Sequence, residues 1–303
     1  MYVIADVISK KEIDFMDFPK NINFNHIFII DLLKDNEFQT ARRLDDDLSV
    51  FIPSSQRVYL KIASKEQLIK TLLHIELMEI PQGIKPIIHI EGHGSEQSLS
   101  LPNGTTIRWG ELYEVLSKIN FALNNTLILF IATCYGFHYI NTLNILTPTP
   151  TYCLISPSKS IEFGGIESGV AVFYKNLFIT KDLDISINNL MEHDNTFDFY
   201  YSDRFFIGLM INYFKEGHYG KSSRQRLERL LSEAFNRDES EGCILARNER
   251  RAVLSQRRKY AKKFIKSENS RFDIYKRNSL KFLGNYDKEI YDEIMKEVKL
   301  KIK

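Results

Sequence analysis

Two short stretches hold the residue types that could do chemistry: IHIEGHGS, which carries His93 followed by Gly94, and LFIATCYG, which carries Cys134 with Gly136 two residues on. A thiol becomes a nucleophile when a base stands within ~3 Å and takes its proton, and the tetrahedral oxyanion that follows needs backbone N–H donors. Glycine beside each reactive residue lets the backbone approach a substrate carbonyl without a Cβ in the way. Imidazole, thiol and flanking glycines together suit thiol acyl transfer. Either feature alone reads more simply as a strand terminus or a small core residue; the two in order, each after an apolar run, favour chemistry.

Other pairings fare worse. His89 and His93 are four apart, but on a strand rising ~3.3 Å per residue they cannot share a metal as a helical i, i+4 pair does. Cys134 and His138 share that spacing, yet no third or fourth ligand is in view, so His138 reads as a surface residue or one supporting the thiol. GHG and FGGIESG lack the spacing of dinucleotide or P-loop fingerprints. No metal and no cofactor is expected.

The elements that must position these residues are legible. HIFIIDLL (26–33) reads as a buried strand, followed by a polar loop ending in ARRLDDDLS. RVYLKIA (57–63) is a second strand, and SKEQLIKTLLHIELMEI (64–80) has helical periodicity behind a capping Ser. KPIIHIEGHG (85–94) is a strand stopped by glycines. SLSLPNGTTIRW reads as a hairpin on its Asn-Gly turn, then WGELYEVLSKI as a helix, NNTLILFIATCYG and TYCLIS as strands, and IESGVAVFYKNLFI as an amphipathic helix. Strands alternating with helices predict an α/β fold with a mostly parallel sheet covered on both faces, whose chemistry lies at the C-terminal strand ends. Beyond about residue 200, helical patterns dominate.

An apolar strand ending in His-Gly, then an apolar strand ending in Cys, resembles the caspase-like cysteine peptidases of clan CD. IHIEGHGS, the SLSLPNGTTIRWGEL hairpin and helix, and LFIATCYG are most similar to the CHAT branch, and the resemblance spans residues 26–180. It implies a three-layer caspase-like domain over 1–198 and an intracellular cysteine endopeptidase working through a thioester acyl-enzyme. His93 would be general base and acid, Cys134 the nucleophile, and the N–H groups of Gly94 and Cys134 the oxyanion hole. Thr133 stands where that family commonly has Ala or Ser. The resemblance further implies a protein substrate and activation by a partner protein or a small-molecule signal, with bacterial antiviral immunity as one setting. The walls of the pocket for the residue before the cut would come from loops holding Arg42, Arg43, Asp45, Asp46 and Asp47, then Lys159 and Glu162. The acids favour a basic residue there, whereas Arg42 and Arg43 would serve an acidic one; the reading leans to Arg or Lys. The alternative for the whole chain is a catalytically silent caspase-fold scaffold.

Composition sets the remaining limits. With 303 residues, 44% hydrophobic and 26% charged, the chain lies in the globular range, which excludes disorder, collagen and coiled-coil arrays. No apolar run reaches the ~20 residues that span a bilayer, and MYVIADVISKKEID does not read as a signal peptide. A cytoplasmic protein with no membrane partner is therefore expected, and Cys134, Cys153 and Cys243 should be free thiols. Net charge is +2, but residues 244–303 hold 18 Lys/Arg against 8 Asp/Glu, a local +10, leaving −8 on residues 1–243. The helical region 199–303 thus presents a basic surface, either a solvated face or a regulatory docking surface. Nucleic acid is its less favoured partner, because no nucleic-acid-binding motif is present.

Overall fold

The computed structural model describes residues 24–219, 222–240 and 247–301. The expectations for the N-terminal stretch to residue 23 and for Cys243 lie outside the described residues. The chain divides into two units, the first comprising residues 24–203 with Lys281–Gly284, the second the remaining described residues.

The first unit is α/β. Its six strands are β1 (His26–Asp31), β2 (Arg57–Lys61), β3 (Pro86–Glu91), β7 (Ile128–Ala132), β8 (Cys153–Pro157) and β9 (Phe197–Tyr201), in the order β2-β1-β3-β7-β8-β9. All neighbours are parallel except β8 and β9. β3, β7 and β8 are buried along their whole length, which explains their largely apolar sequences; His89 and Glu91 of β3 and Ser156 of β8 are the buried polar residues among them. β4 (His93–Gly94), β5 (Ser98–Ser100) and β6 (Thr106–Arg108) form a separate antiparallel sheet, with Gly104 at φ +84° in the Asn-Gly turn.

Helices cover both faces. On one, Ile27, Ile29, Ile87, Ile128 and Phe130 pack with residues from α1 (Thr40–Leu48), α4 (Phe163–Thr180) and α5 (Leu183–His193); each such side chain contributes ~1.5–3 kcal/mol on burial. The other face carries α2 (Lys65–His74) against α3 (Trp109–Ala122). Ser64 caps α2, accepting the Gln67 N–H at 3.3 Å, and the helix runs on through a π turn and a 3₁₀ turn to Gly83 at φ +88°.

Three expectations need correction. ARRLDDDL is helix α1, not loop: Ala41, Leu44 and Leu48 form a narrow buried stripe among the charges. β9 was not anticipated, and it closes the sheet in the antiparallel sense. His93 and Gly94 do not end β3; the chain turns at Gly92, where a Cβ would lie 2.9 Å from Leu32 Cβ, and enters the small sheet.

The second unit is helical: α6 (Ser202–His218), α7 (Ser222–Ser240), α8 (Arg247–Lys266), α9 (Glu268–Phe282) and α10 (Lys288–Leu300), with the ends of α6 and α9 counted in the first unit. An aromatic cluster of Phe214, Phe272, Tyr275 and Tyr291 makes its centre, with Phe272–Tyr291 centroids 5.0 Å apart. Leu227, Leu231 and Ile265 pack a smaller core of α7 and α8. No helix among the described residues is long and apolar enough to cross a membrane.

Candidate active site

β3 and β7 are parallel neighbours in register, Glu91 opposite Ala132, so the segments that follow them emerge on one sheet edge. Beneath that edge lies a buried polar cluster. Glu91 accepts a short hydrogen bond from Thr40 Oγ1 and faces His89 Nε2 at 3.3 Å, while Tyr174 Oη stands 3.2 Å from His89 Nδ1. Burying a carboxylate is costly unless it is paired, and here it is. Burial first, and the Glu91 charge second, push the Tyr174 hydroxyl far above its usual range. Asp31, at the end of β1, accepts from Leu33 N–H at 2.8 Å, Tyr59 Oη at 2.5 Å and Lys61 Nζ at 2.9 Å. These bonds fix both chain ends flanking the site, and Leu32 N–H donates to Glu91 O at 2.8 Å.

Gly94 rests directly on the turn that carries the thiol: a Cβ there would collide with Cys134 O and lie 2.6 Å from Thr133 Oγ1. Ser95 N–H donates to Ser98 O at 2.9 Å, so by the alternation of an antiparallel ladder Gly94 and Leu99 form the non-hydrogen-bonded pair. The Gly94 N–H therefore points away from β5. Cys134 occupies a sharp strand-to-helix turn, followed by Tyr135 in the left-handed region at φ 58° and a 3₁₀ helix over Gly136–Thr142. Among the described residues no acceptor is bonded to the Cys134 N–H. Both expected oxyanion donors thus lie on facing segments.

Gly136 has a different role from the one expected. It is buried, and a Cβ would lie 2.7 Å from Ile131 Cγ2 and against Ser156 Oγ, so it packs the turn onto β8 rather than admitting substrate. Thr133 Oγ1 faces both glycines, which accounts for a compact β-branched residue before the thiol.

The imidazole and the thiol have other partners. His93 is half exposed, and its Nε2 lies 3.2 Å from Glu37 Oε1. Its ring meets Phe163 edge to face at 5.8 Å. Cys134 Sγ donates to Ile161 O at 3.4 Å and accepts from Ile161 N–H at 3.5 Å, with Ser160 Oγ at 3.9 Å. Tyr135 N–H holds the same segment, a strap over residues 158–163, through Lys159 O at 3.1 Å. Among the described residues no hydrogen bond joins His93 to Cys134. Glu37 was missed from sequence: it lies in the loop between β1 and α1, and only folding brings it to His93.

The residues expected to wall a substrate pocket lie on α1 and in the segment leading into α4. Asp45 is nearly buried and paired with Arg57 at 2.5 Å, Asp46 and Asp47 are exposed on α1, and Arg43 pairs with Glu167 at 2.8 Å. Glu162 is exposed at the N-terminus of α4, beside the strap. His138 contacts the Tyr135 ring at 5.8 Å. Cys153 is a buried thiol in β8. No group of three or more His, Cys, Asp or Glu able to hold a metal occurs among the described residues. A groove of about 430 Å³ lined by Phe28, Val58, Leu60, Thr71 and His74 lies toward the N-terminal strand ends, away from the thiol. Neither protein-family models nor curated proteins, when compared with the chain, give a match.

Proposed function

We propose that this protein is a cytoplasmic cysteine endopeptidase that uses His93 and Cys134, as its resemblance to the CHAT branch of the caspase-like peptidases implies. The observation that carries the reading is the seating of Gly94 on the Thr133–Cys134 backbone, which puts the His-Gly segment and the thiol turn together on one sheet edge. In the reaction, the Cys134 proton passes to the imidazole and the thiolate attacks the scissile carbonyl carbon. A C–S bond forms, and the carbonyl electron pair moves to oxygen, facing the N–H groups of Gly94 and Cys134. The tetrahedral centre collapses, the C–N bond breaks, and the imidazolium gives its proton to the leaving amine. Water, deprotonated by His93, then hydrolyses the thioester.

The strap fits a resting form. With Sγ donating to Ile161 O the proton stays on sulfur, and displacement of residues 158–163 by a partner protein or small-molecule signal frees the thiol. Bacterial antiviral immunity is a setting for such a triggered peptidase. The thiol's engagement with Ile161 instead of His93 also supports a second reading, a silent caspase-fold scaffold. Peptide-library hydrolysis and alkylation of Cys134 by iodoacetamide separate the two. The peptidase reading expects slow basal cleavage by the wild type, from the fraction of molecules with the strap displaced, and loss of at least ~100-fold in Cys134→Ala and in His93→Ala. Equal alkylation of Cys134 with and without His93, and no cleavage, would establish the scaffold.

A further inference from the structure

We propose that Glu37 is a positioning residue for His93, its carboxylate taking the Nε2–H of the imidazole so that Nδ1 is the atom that receives the Cys134 proton. This rests on the peptidase reading above. An ionised carboxylate only accepts hydrogen bonds, so a neutral imidazole facing it through Nε2 carries its hydrogen there and keeps its lone pair on Nδ1. The same carboxylate then faces the imidazolium once the thiol proton has moved, which favours the ion pair.

The surroundings are built to hold Glu37 in that pose. Its Oε2 accepts the Lys34 N–H at 2.8 Å, its own N–H donates to Lys34 O at 3.1 Å, and Gln39 Nε2 donates to Lys34 O at 2.8 Å, closing a tight turn. Oε1 is thereby left for the imidazole. Burial alone would raise the Glu37 carboxyl, but the Lys34 N–H and the His93 ring outweigh it and hold the group below the usual range. On the other side, the edge-to-face Phe163 ring limits rotation, and Phe163 is itself 5.8 Å from Phe38, the residue after Glu37. Glu37, Phe38 and Phe163 thus hold a half-exposed imidazole that solvent alone would leave free to rotate.

The test uses the full chain with Glu37→Ala and Glu37→Gln, the latter keeping length and one acceptor oxygen without charge. Two readouts are taken: the His93 Nε2–H resonance in ¹⁵N-histidine-labelled protein, identified by its loss in His93→Ala, and the iodoacetamide alkylation rate of Cys134 by mass spectrometry. The wild type should show an exchange-protected Nε2–H that Glu37→Ala abolishes. Alkylation should fall by at least ~10-fold in Glu37→Ala and by less in Glu37→Gln, at unchanged melting temperature. If His93→Ala slows alkylation but Glu37→Ala does not, or if Glu37→Ala speeds it, the assignment of Glu37 is wrong while the dyad stands. If Glu37→Ala does not fold, the resonance and rate of Glu37→Gln decide alone, and values matching the wild type overturn the assignment. If neither His93→Ala nor Glu37→Ala changes the rate, the peptidase reading falls and the assignment with it.

Discussion

Each unit buries a histidine, and the two are treated differently. His89, in the sheet of the first unit, has Tyr174 Oη on Nδ1 and Glu91 on Nε2. His218, at the end of α6 in the second, has Nδ1 on Ile265 O at 2.9 Å, and its buried Nε2 has no partner among the described residues. Burial, assisted by the Arg226 and Arg271 charges and opposed by the Ile265 carbonyl, lowers the His218 pKa to about 4. The first unit thus gives both nitrogens of its buried imidazole a polar partner. The second leaves one nitrogen of its buried imidazole without a partner among the described residues and keeps the ring neutral, with Arg226 beside it lying 4.4 Å from the Tyr213 centroid.

Truncation after residue 243 is the strongest way to break that contrast. It removes most of the second unit, yet the first should fail as well, because Lys281–Gly284 belongs to it. Phe282 and Leu283 are buried, and Phe282 O accepts hydrogen bonds from Asn125 Nδ2 and, at 2.8 Å, from Ser202 Oγ. Loss of two buried side chains at ~1.5–3 kcal/mol each, with their acceptor, amounts to ~5 kcal/mol or more. Denaturant unfolding followed by near-UV circular dichroism should show no native baseline. A truncated chain with the full-length midpoint would mean that the first unit is self-sufficient.

Gly94→Ala probes the edge itself. Its Cβ would press on Thr133 Oγ1 and Cys134 O, so peptide hydrolysis should drop ~100-fold through displacement of the turn. Gly110→Ala, where a Cβ meets nothing within 4 Å, is the control and should leave turnover unchanged. Equal effects of the two substitutions would remove the close approach at Gly94 as the cause.

Acid gives the smallest effect and should act on the second unit. With the folded His218 pKa about 4 and the unperturbed value 6.5, the unfolded chain binds the extra proton between those limits. Stability contributed by neutral His218 is therefore complete above 6.5 and lost as pH falls toward 4. Melting temperature should decline over that window in the wild type and less in His218→Gln. An identical decline in both would place the titrating group elsewhere.

The elements legible from sequence are those whose burial is total or strictly periodic. β3 and β7 read as strands because their runs of apolar residues continue up to a glycine or a small turn, broken in β3 only by His89 and Glu91, and α2 because Ser64 marks its start. α1 hid because ARRLDDDL buries only a thin stripe, and β9 because FDFYY is short and interrupted by Asp198. His93 and Cys134 stand out by type and order. Ile161 does not, since it contributes only its backbone N–H and C=O, which any residue could supply at that place. Glu37 was invisible for another reason: nothing local distinguishes a loop glutamate from the carboxylate that three-dimensional closure puts on an imidazole.

The Asn125 side chain ties segments made at very different moments of synthesis. It accepts from Asn120 Nδ2 at 2.5 Å and donates to Ser202 Oγ at 2.8 Å and to Phe282 O. At ribosomal speeds of ~5–20 residues per second, the chain that joins β9 to Phe282 takes roughly 4–16 s to make. Through that interval the sheet exists without its last acceptor, so a nascent chain, or one released early, cannot complete the unit that carries Cys134. The order of translation itself delays completion of the first unit until Phe282 has been made.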